Sequence, residues 1–476
     1  MIFASIEFLF RFLPLFLLIY FLFPPKLRNG VLFVGSMIFY ACGEPGHIPF
    51  LLVSMILNHA VARKIYDLSA GEGWEWKAKE LRRGLLVFIL LYDFGILFVF
   101  KYLDFMIEMV NGIAGKELLA VTEIKLPLGI SFYTFQMVSY VIDVYRREYR
   151  PAAGLLPFAT YVVMFPQLIA GPIVNYGEVK DNLKKRKVNV QGIEKGLELF
   201  ILGLAYKVLL ADKISSLWND IQIIGVRGIN TPTAWLGAWS YSFQIYFDFF
   251  GYSLMAIGLG LMIGFRFPAN FRSPYCCKSA TDFWRHWHIT LGRWFRSYVY
   301  IPLGGNRRGT ARMVWNTLIV WTFTGLWHGA GWNFVLWGLF FFVILMVEKF
   351  FLLNYLDRSR IVGHLYMFIL IPFSWMIFNM TDLEALGLYL SRMLALPVPE
   401  SILKDGWSGM EKFLQLVYTY GSLLLICSFC ATPIPLKLMK RFHRIWVVRL
   451  LLLALFWFSV AQLFQGRENP FLYFRF

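Results

Sequence analysis

The chain of 476 residues carries 46 lysine and arginine residues against 29 aspartate and glutamate residues, a formal net charge of +17. Apolar residues make up 58% of it and charged residues only 16%, where soluble domains have about 25%. This composition excludes a disordered chain, a disulfide scaffold and an ordinary soluble enzyme, and it predicts an all-α polytopic integral membrane protein. Nucleic acid is excluded as a partner because the basic residues lie in short clusters between apolar runs. That pattern is typical of cytoplasmic loops that contact anionic membrane lipids.

Apolar runs of near membrane-spanning length follow one another along the chain. Because a membrane core of about 30 Å takes about 20 helical residues, we expect about eleven transmembrane helices in a single domain, residues 1–476. The first run lacks a basic leader and a small-residue cleavage site, which favours a retained span over a signal peptide. Basic loops at 63–83 and 178–187 are expected in the cytoplasm, which places the N-terminus outside. Besides the stretch 313–347, the runs are 6–23, 31–41, 48–62, 85–100, 126–144, 155–173, 197–211, 234–250, 252–265, 361–380, 413–431 and 447–463.

The run at 155–173 is broken by Pro166 and Pro172. Such a break survives at membrane depth only where protein or a water-filled cavity covers the backbone. Two structures therefore remain open, a re-entrant loop that lines a tunnel and an ordinary kinked helix.

The segment 281–300 combines arginine, tryptophan and histidine. As one continuous helix it would place Trp284 and His288 on the same face, with Asp282 and Arg285 beside it. A basic, aromatic helix suits two tasks, anchoring to lipid headgroups and binding the phosphates of a donor through arginine. The sequence leaves both open.

His328 is the only strongly titratable side chain in the charge-free stretch 313–347. That stretch is too long for one crossing, so we expect two spans with a turn near residues 329–331. An ionisable group at membrane depth by default faces a functional cavity, and an imidazole suits proton transfer at neutral pH. The small residues beside His328 would let a substrate approach it. The alternative is a buried histidine bonded to a neighbouring helix, with Gly325 and Gly329 packing helices together.

Metal and redox chemistry are not expected. On a helix His286 and His288 would face different sides, and we see no nearby cysteine or Glu-x-x-His pattern to complete a metal site. The five cysteines lie in or beside apolar runs and imply no disulfide framework. Cys427 and Cys430 are interpreted as buried helix residues.

Three motifs in this order resemble the membrane-bound O-acyltransferase (MBOAT) family. They are Asp-Phe-Trp-Arg-His-Trp-His-Ile at 282–289, Tyr-Ile-Pro-Leu-Gly-Gly-Asn-Arg at 300–307 and Gly-Leu-Trp-His-Gly-Ala at 325–330. Residues 1–24, 165–176 and 469–476 also resemble the bacterial branch that O-acetylates alginate or peptidoglycan. Teichoic-acid D-alanylation proteins are more distant relatives. The resemblance therefore spans essentially the whole chain.

The resemblance implies a fold of transmembrane, re-entrant and interfacial helices around a central tunnel, in the bacterial cytoplasmic (inner) membrane. His328 matches the histidine regarded as catalytic in the family, and His288 matches the second histidine. The implied acyl donor is acetyl-CoA from the cytoplasm, with no tightly bound cofactor. The acetyl group would cross the tunnel and reach an exported polysaccharide through an extracytoplasmic SGNH-type transferase, next to the polysaccharide synthesis and export machinery.

Further candidate site residues lie at the C-terminus and around the two histidines. Tyr473 is a candidate to carry the acyl group as a relay, because related systems have a C-terminal Phe/Tyr motif; the alternative is an aromatic belt at the membrane interface.

Peptidoglycan, teichoic acid or lipid remain open as acceptors. A transporter or flippase is the alternative of another class, which would favour an inverted repeat that we do not see. Candidates to bind the donor or line the tunnel are Trp284, Arg285, Trp287, Asp282, Trp327 and Asn333.

Overall fold

The computed structural model describes residues 1–69, 76–169, 171–396, 406–465 and 472, with the backbone alone for residues 406–408. This part of the chain is helical and contains no strand. The first ten α-helices are α1 (Leu13–Leu22), α2 (Arg28–Ala41), α3 (Ile48–Asp67), α4 (Trp76–Ala114), α5 (Ile130–Tyr145), α6 (Leu155–Val163), α7 (Phe165–Leu168), α8 (Tyr176–Lys184), α9 (Val190–Ala205) and α10 (Asp212–Ile224). The others are α11 (Thr231–Met262), α12 (Ala280–His286), α13 (Ile289–Phe295), α14 (Thr310–His328), α15 (Trp332–Val347), α16 (Leu353–Arg358), α17 (Arg360–Asn379), α18 (Leu383–Met393), α19 (Gly406–Cys430), α20 (Ile434–Phe442) and α21 (Trp446–Phe464).

Seven helical stretches in the described ranges are long and apolar enough to cross a membrane. They are Pro45–Asp67, Trp76–Ala114, Thr231–Met262, Trp332–Arg358, Arg360–Asn379, Gly409–Cys430 and Trp446–Phe464. Phe8–Leu22 is apolar but shorter, since its length of about 22 Å falls below a bilayer core of about 30 Å. The all-α polytopic fold is confirmed, whereas the figure of about eleven spans stays a prediction.

Contacts between Cα atoms divide the chain into two compact units. The first unit comprises residues 1–200 and 253–268, and the second comprises residues 201–252 and 269–476. In the first unit, the Phe165 ring makes edge contacts with the rings of Phe12 and Phe16 at centroid distances of 5.4 and 5.0 Å.

The proline-broken run lies in this first unit as two separate helices. Its helix is interrupted at Met164, between α6 and α7, and does not continue as one kinked helix. The Phe165 N–H donates to the Ser36 hydroxyl at 3.0 Å, and the Gln167 side chain donates to the Tyr161 carbonyl at 2.5 Å. Protein side chains therefore form hydrogen bonds with backbone groups at the break, as an interrupted membrane segment requires.

In the second unit, α14 ends at His328 and forms an antiparallel hairpin with α15. The stretch 313–347 thus divides into two helices with a turn at 329–331, as predicted from its length. The turn places the imidazole of His328 at a helix end and not midway along a membrane-length helix.

A buried carboxylate connects α15 to the arginine- and tryptophan-rich segment of the same unit. Glu348, at 0% exposure, begins a π-helical turn after α15. One oxygen of its carboxylate accepts the Ala280 N–H at 2.5 Å, and the other accepts the Thr281 N–H at 2.8 Å and the Thr281 hydroxyl at 2.7 Å. These N–H groups belong to the first turn of α12 and have no partner within the helix. Glu348 therefore fixes the start of α12 relative to the hairpin that carries His328.

Candidate active site

His288 lies at a break between two short helices. The segment was expected to be one helix, but α12 ends at His286 and α13 begins at Ile289, so that prediction is wrong. Trp287 is extended, and His288 has φ 45° and ψ 49°, the left-handed region that a residue with a side chain seldom adopts. Such a conformation persists only where surrounding contacts impose it, and it occurs preferentially at functional sites.

The contact that holds His288 comes from Asn270. The Oδ1 atom of Asn270, a residue 1% exposed, accepts the Thr290 N–H at 3.3 Å and the Thr290 hydroxyl at 2.9 Å. The same oxygen lies 3.2 Å from Nδ1 of His288. Because a carbonyl oxygen can only accept, Nδ1 carries the proton in this bond, and Nε2 of the neutral ring keeps its lone pair. The pairing thus selects the tautomer in which Nε2 is a base.

The surroundings of His288 keep it neutral. Its side chain is buried in contact with aromatic rings, and Phe249 meets it edge-on at a centroid distance of 4.7 Å. Burial lowers the pKa of the His288 imidazole to about 3, because a charged ring would lose its hydration. At neutral pH this residue is therefore a neutral hydrogen-bonding group.

His328 lies at the C-terminal end of α14 and is 5% exposed. Trp337 and Phe378 contact its ring edge-on, each at a centroid distance of 5.2 Å. Trp327 lies between the two histidines, 5.0 Å from the ring of His328 and 5.8 Å from that of His288. The two imidazoles are thus joined by one indole within a single aromatic cluster.

The glycines near His328 pack against other protein groups. A Cβ atom on Gly325 would overlap the Phe334 carbonyl oxygen, and one on Gly329 would overlap the Phe334 ring. Gly338 of α15 in turn faces the Trp321 carbonyl oxygen and Gly325. The interpretation that Gly325 and Gly329 open a path to the imidazole is therefore wrong. These glycines let α14 and α15 approach closely, in the manner of small residues in membrane helix pairs.

A cavity of about 580 Å³ has both histidines on its wall. The predicted residues Trp284, Arg285 and Trp287 line the same cavity. So do Thr281, which Glu348 holds, and two further arginines, Arg293 and Arg296. A cavity with two imidazoles, aromatic walls and three guanidinium groups suits a ligand that has both an anionic and an apolar portion.

Three predicted site residues are not on the wall of this cavity. Trp327 is buried, and its ring contacts the rings of both histidines. Asn333 donates from Nδ2 to the Phe378 carbonyl at 2.6 Å, so it ties α15 to the helix whose phenylalanine touches His328. Asp282 lies next to His286, with 3.4 Å between its Oδ1 and Nδ1 of His286, and both side chains are partly exposed. Tyr473 lies outside the described residues.

The expectation that no cysteine lies near the histidines is also wrong. Ligand atoms of Cys277, Asp282 and His286 lie within 4.8 Å of one another. Nδ1 of His286 is 2.9 Å from the carbonyl of Asp282, one turn earlier, which it reaches as a donor. Burial raises the pKa of the Cys277 thiol, which disfavours the thiolate that a metal needs. These contacts fit a hydrogen-bonded cluster better than a set of metal ligands.

Two residues with evident structural roles at the site were missed from the sequence. Asn270 precedes His288 by 18 positions and lies in a loop, where a single asparagine carries no pattern. Glu348 was visible as the acidic residue that ends a long apolar run, a feature that at membrane depth indicates a specific partner. That signal could have identified it.

Comparison with known proteins gives consistent results. Residues 150–391 match the model of the membrane-bound O-acyltransferase family. The chain is 35% identical to the probable alginate O-acetylase AlgI of Pseudomonas putida over the full length of both. It is 33% identical to the peptidoglycan O-acetyltransferase of Helicobacter pylori, over 82% of this chain and 79% of that one. A teichoic acid D-alanyltransferase of Streptococcus thermophilus is 29% identical over 46% of this chain and 56% of its own.

Proposed function

Because the chain belongs to the membrane-bound O-acyltransferase family, we propose that it passes acetyl groups from cytoplasmic acetyl-CoA to an exported polysaccharide. It is a multi-pass membrane protein and an O-acyltransferase, as the match and its apolar helices indicate. Its membrane in this proposal is the bacterial cytoplasmic membrane. Membership in an enzyme family favours acyl transfer over the solute transport that the sequence left open.

The acceptor in this proposal is a polymer such as alginate. Its support is the full-length similarity to a protein named as a probable alginate O-acetylase. Peptidoglycan is the second candidate acceptor, favoured by the relative of that name at 33% identity. An extracytoplasmic SGNH-type transferase would complete the path, as the resemblance to the polysaccharide branch implies.

The proposed base is His328, and the observation that carries this assignment is its position with His288 on the wall of one cavity. Nε2 or Nδ1 of His328 accepts the proton of an acceptor hydroxyl while the hydroxyl oxygen attacks the thioester carbonyl carbon. An ester bond forms, the carbon–sulfur bond breaks, and the departing sulfur takes the proton that His328 held. The aromatic surroundings keep water away from the thioester, which suppresses hydrolysis.

His288 has a supporting role in this scheme. With Nδ1–H held by Asn270, its Nε2 presents a lone pair and can orient a hydroxyl or thiol of the reactants. We assign the donor phosphates to Arg285, Arg293 and Arg296, since guanidinium groups match phosphate oxygens in charge and geometry.

Tyr473 is proposed as the first acceptor of the acetyl group on the far side of the membrane. Its phenolic oxygen would attack the thioester carbonyl, and its acetyl ester would then supply the SGNH-type partner. Trapping labelled acetyl on the purified protein tests this step. Label that disappears in Tyr473→Phe supports the relay, and undiminished label in that variant overturns it.

The function itself is tested with inside-out membrane vesicles given acetyl-CoA labelled in the acetyl group. We expect label in alginate enclosed in the vesicles when an SGNH-type partner is present, and less label in enclosed peptidoglycan fragments. Preferential labelling of peptidoglycan would move the acceptor to the second candidate. Absence of label in both polymers, with the protein folded, would overturn acetyl transfer across the membrane.

A further inference from the structure

Three charged side chains are buried together in the second unit, away from the cavity. Nζ of Lys207 lies 2.6 Å from Oδ1 of Asp212 and 2.9 Å from Oδ1 of Asp248. The exposed fractions of the three side chains are 4%, 10% and 2%. None of them is among the residues that line the cavity with His288 and His328. Buried charges at such a position need a task that the acyl-transfer scheme does not give them.

The cluster contains one ammonium group and two carboxylates, so the lysine alone does not balance it. Buried carboxylate oxygens require further donors, because an ionised group without partners is costly in a medium that excludes water. The second oxygen of Asp248, Oδ2, receives such a donor from the C-terminal end of the chain. It accepts the peptide N–H of Leu472 at 2.7 Å, across 224 positions of sequence. Leu472 itself is buried, with 6% exposure.

The same helix connects this contact with the histidine site. Asp248 is followed on α11 by Phe249, whose ring meets His288 at a centroid distance of 4.7 Å. One residue of α11 thus binds the C-terminal segment and the next packs against the imidazole. Tyr473 follows Leu472 directly in the sequence.

We propose that Lys207, Asp212 and Asp248 form a docking site for the C-terminal segment of this chain, in which Asp248 is a positioning residue that binds the peptide N–H of Leu472. Lys207 bonds Oδ1 of Asp248 while Oδ2 accepts the peptide N–H, so the carboxyl group links the lysine to the C-terminal segment. The assignment rests on the proposed function, which passes the acetyl group to Tyr473, and it deepens that proposal by giving the preceding residue, Leu472, a binding partner.

Hydrogen–deuterium exchange of the full-length protein in detergent tests the contact at the atom concerned. Mass spectrometry with residue-level fragmentation reads the Leu472 amide in wild type and in Asp248→Ala. We expect a protected amide in wild type and exchange at least tenfold faster in the variant. An amide that exchanges in wild type as fast as an unprotected one, or equally in both proteins, overturns the proposal.

A second pair of variants leaves the buried charges untouched, in case Asp248→Ala does not fold. Leu472→Pro removes the N–H that Asp248 accepts, and Leu472→Ala shortens the same side chain but keeps the N–H. We expect Leu472→Pro to have a kcat for acetyl transfer at least tenfold below that of Leu472→Ala, with the KM for acetyl-CoA unchanged. Equal kcat values overturn the positioning role. A wild-type protein that protects the amide but transfers no acetyl group would instead refute the proposed function and leave the docking site standing.

Discussion

Asn270→Ala is the perturbation that tests most of the local geometry at once. It removes the single oxygen that accepts from His288 Nδ1, the Thr290 N–H and the Thr290 hydroxyl. The hydroxyl can turn to another acceptor, but the imidazole and peptide N–H groups stay buried. The loss of one buried hydrogen bond costs about 1–3 kcal/mol, so the variant should lose about 2–6 kcal/mol of stability for the two.

The catalytic effect of Asn270→Ala follows from the tautomer. Without the bond, nothing in this contact keeps the proton on Nδ1, and the acceptor at Nε2 of His288 that orients a hydroxyl or thiol in the proposal is present for only part of the time. Loss of about 1.4 kcal/mol of transition-state stabilisation lowers kcat about tenfold, and we expect at least that. The assay is acetyl transfer from labelled acetyl-CoA in detergent, with thermal unfolding measured on the same preparation.

Two matched variants separate orientation of the ring from general damage. Thr290→Val removes one donor from the same oxygen without touching the imidazole, so we expect a loss of about 1 kcal/mol of stability and a kcat near that of wild type. Asn270→Asp keeps an acceptor for all three donors but adds a charge that favours the imidazolium ion. It should recover stability without recovering activity at pH 7. A kcat of Asn270→Ala equal to that of Thr290→Val would refute the reasoning.

Three further predictions concern the elements around the site. Glu348→Ala deprives the buried N–H of Ala280 and the half-buried N–H of Thr281 of their acceptor at the start of α12. We expect a loss of at least about 1–3 kcal/mol in thermal unfolding, the cost of the buried N–H alone. The exposed Glu384→Ala serves as control, and equal melting of the two variants would contradict the role of Glu348 at the start of α12. Gly325→Ala forces α14 and α15 apart, and overpacking should cost about 1–3 kcal/mol and reduce transfer, whereas unchanged melting and transfer would show that the hairpin has room. His288 binds its proton near pH 6.5 when unfolded but near pH 3 when folded, so stability is lost as the pH falls below 6.5, by about 2 kcal/mol at pH 5. Thermal unfolding at pH 7.5 and pH 5 measures this loss. The contribution of His288 to the loss should be absent in His288→Gln. An identical pH dependence of stability in wild type and His288→Gln would count against burial of His288 as the cause.

The sequence predicts well those features that depend on length and polarity. The charge-free stretch 313–347 exceeds one bilayer crossing, and its small residues at 329–331 mark the turn, so two helices with His328 at their junction follow from counting. The fold class follows likewise from apolar content.

The local path around His288 could not be predicted in this way. Helical spacing put Trp284 and His288 on one face, but the helix breaks between them and His288 takes a left-handed conformation. Asn270 bonds to this turn from 18 positions away, a tertiary contact that no periodic pattern encodes. Asn333 and Trp327 illustrate the same limit. Both are close to His328 in the sequence, but closeness in sequence does not show whether a residue lines the cavity or is buried outside it.

The central claim is that His328 is the base for acyl transfer, and His328→Ala measures it most directly. His443→Ala, which changes a half-buried histidine outside the cavity, is the matched control. With both variants inserted in the membrane and unfolding at the wild-type temperature, we predict that transfer of labelled acetyl from acetyl-CoA to polymer falls to background in His328→Ala alone. Wild-type transfer by folded His328→Ala would contradict the account.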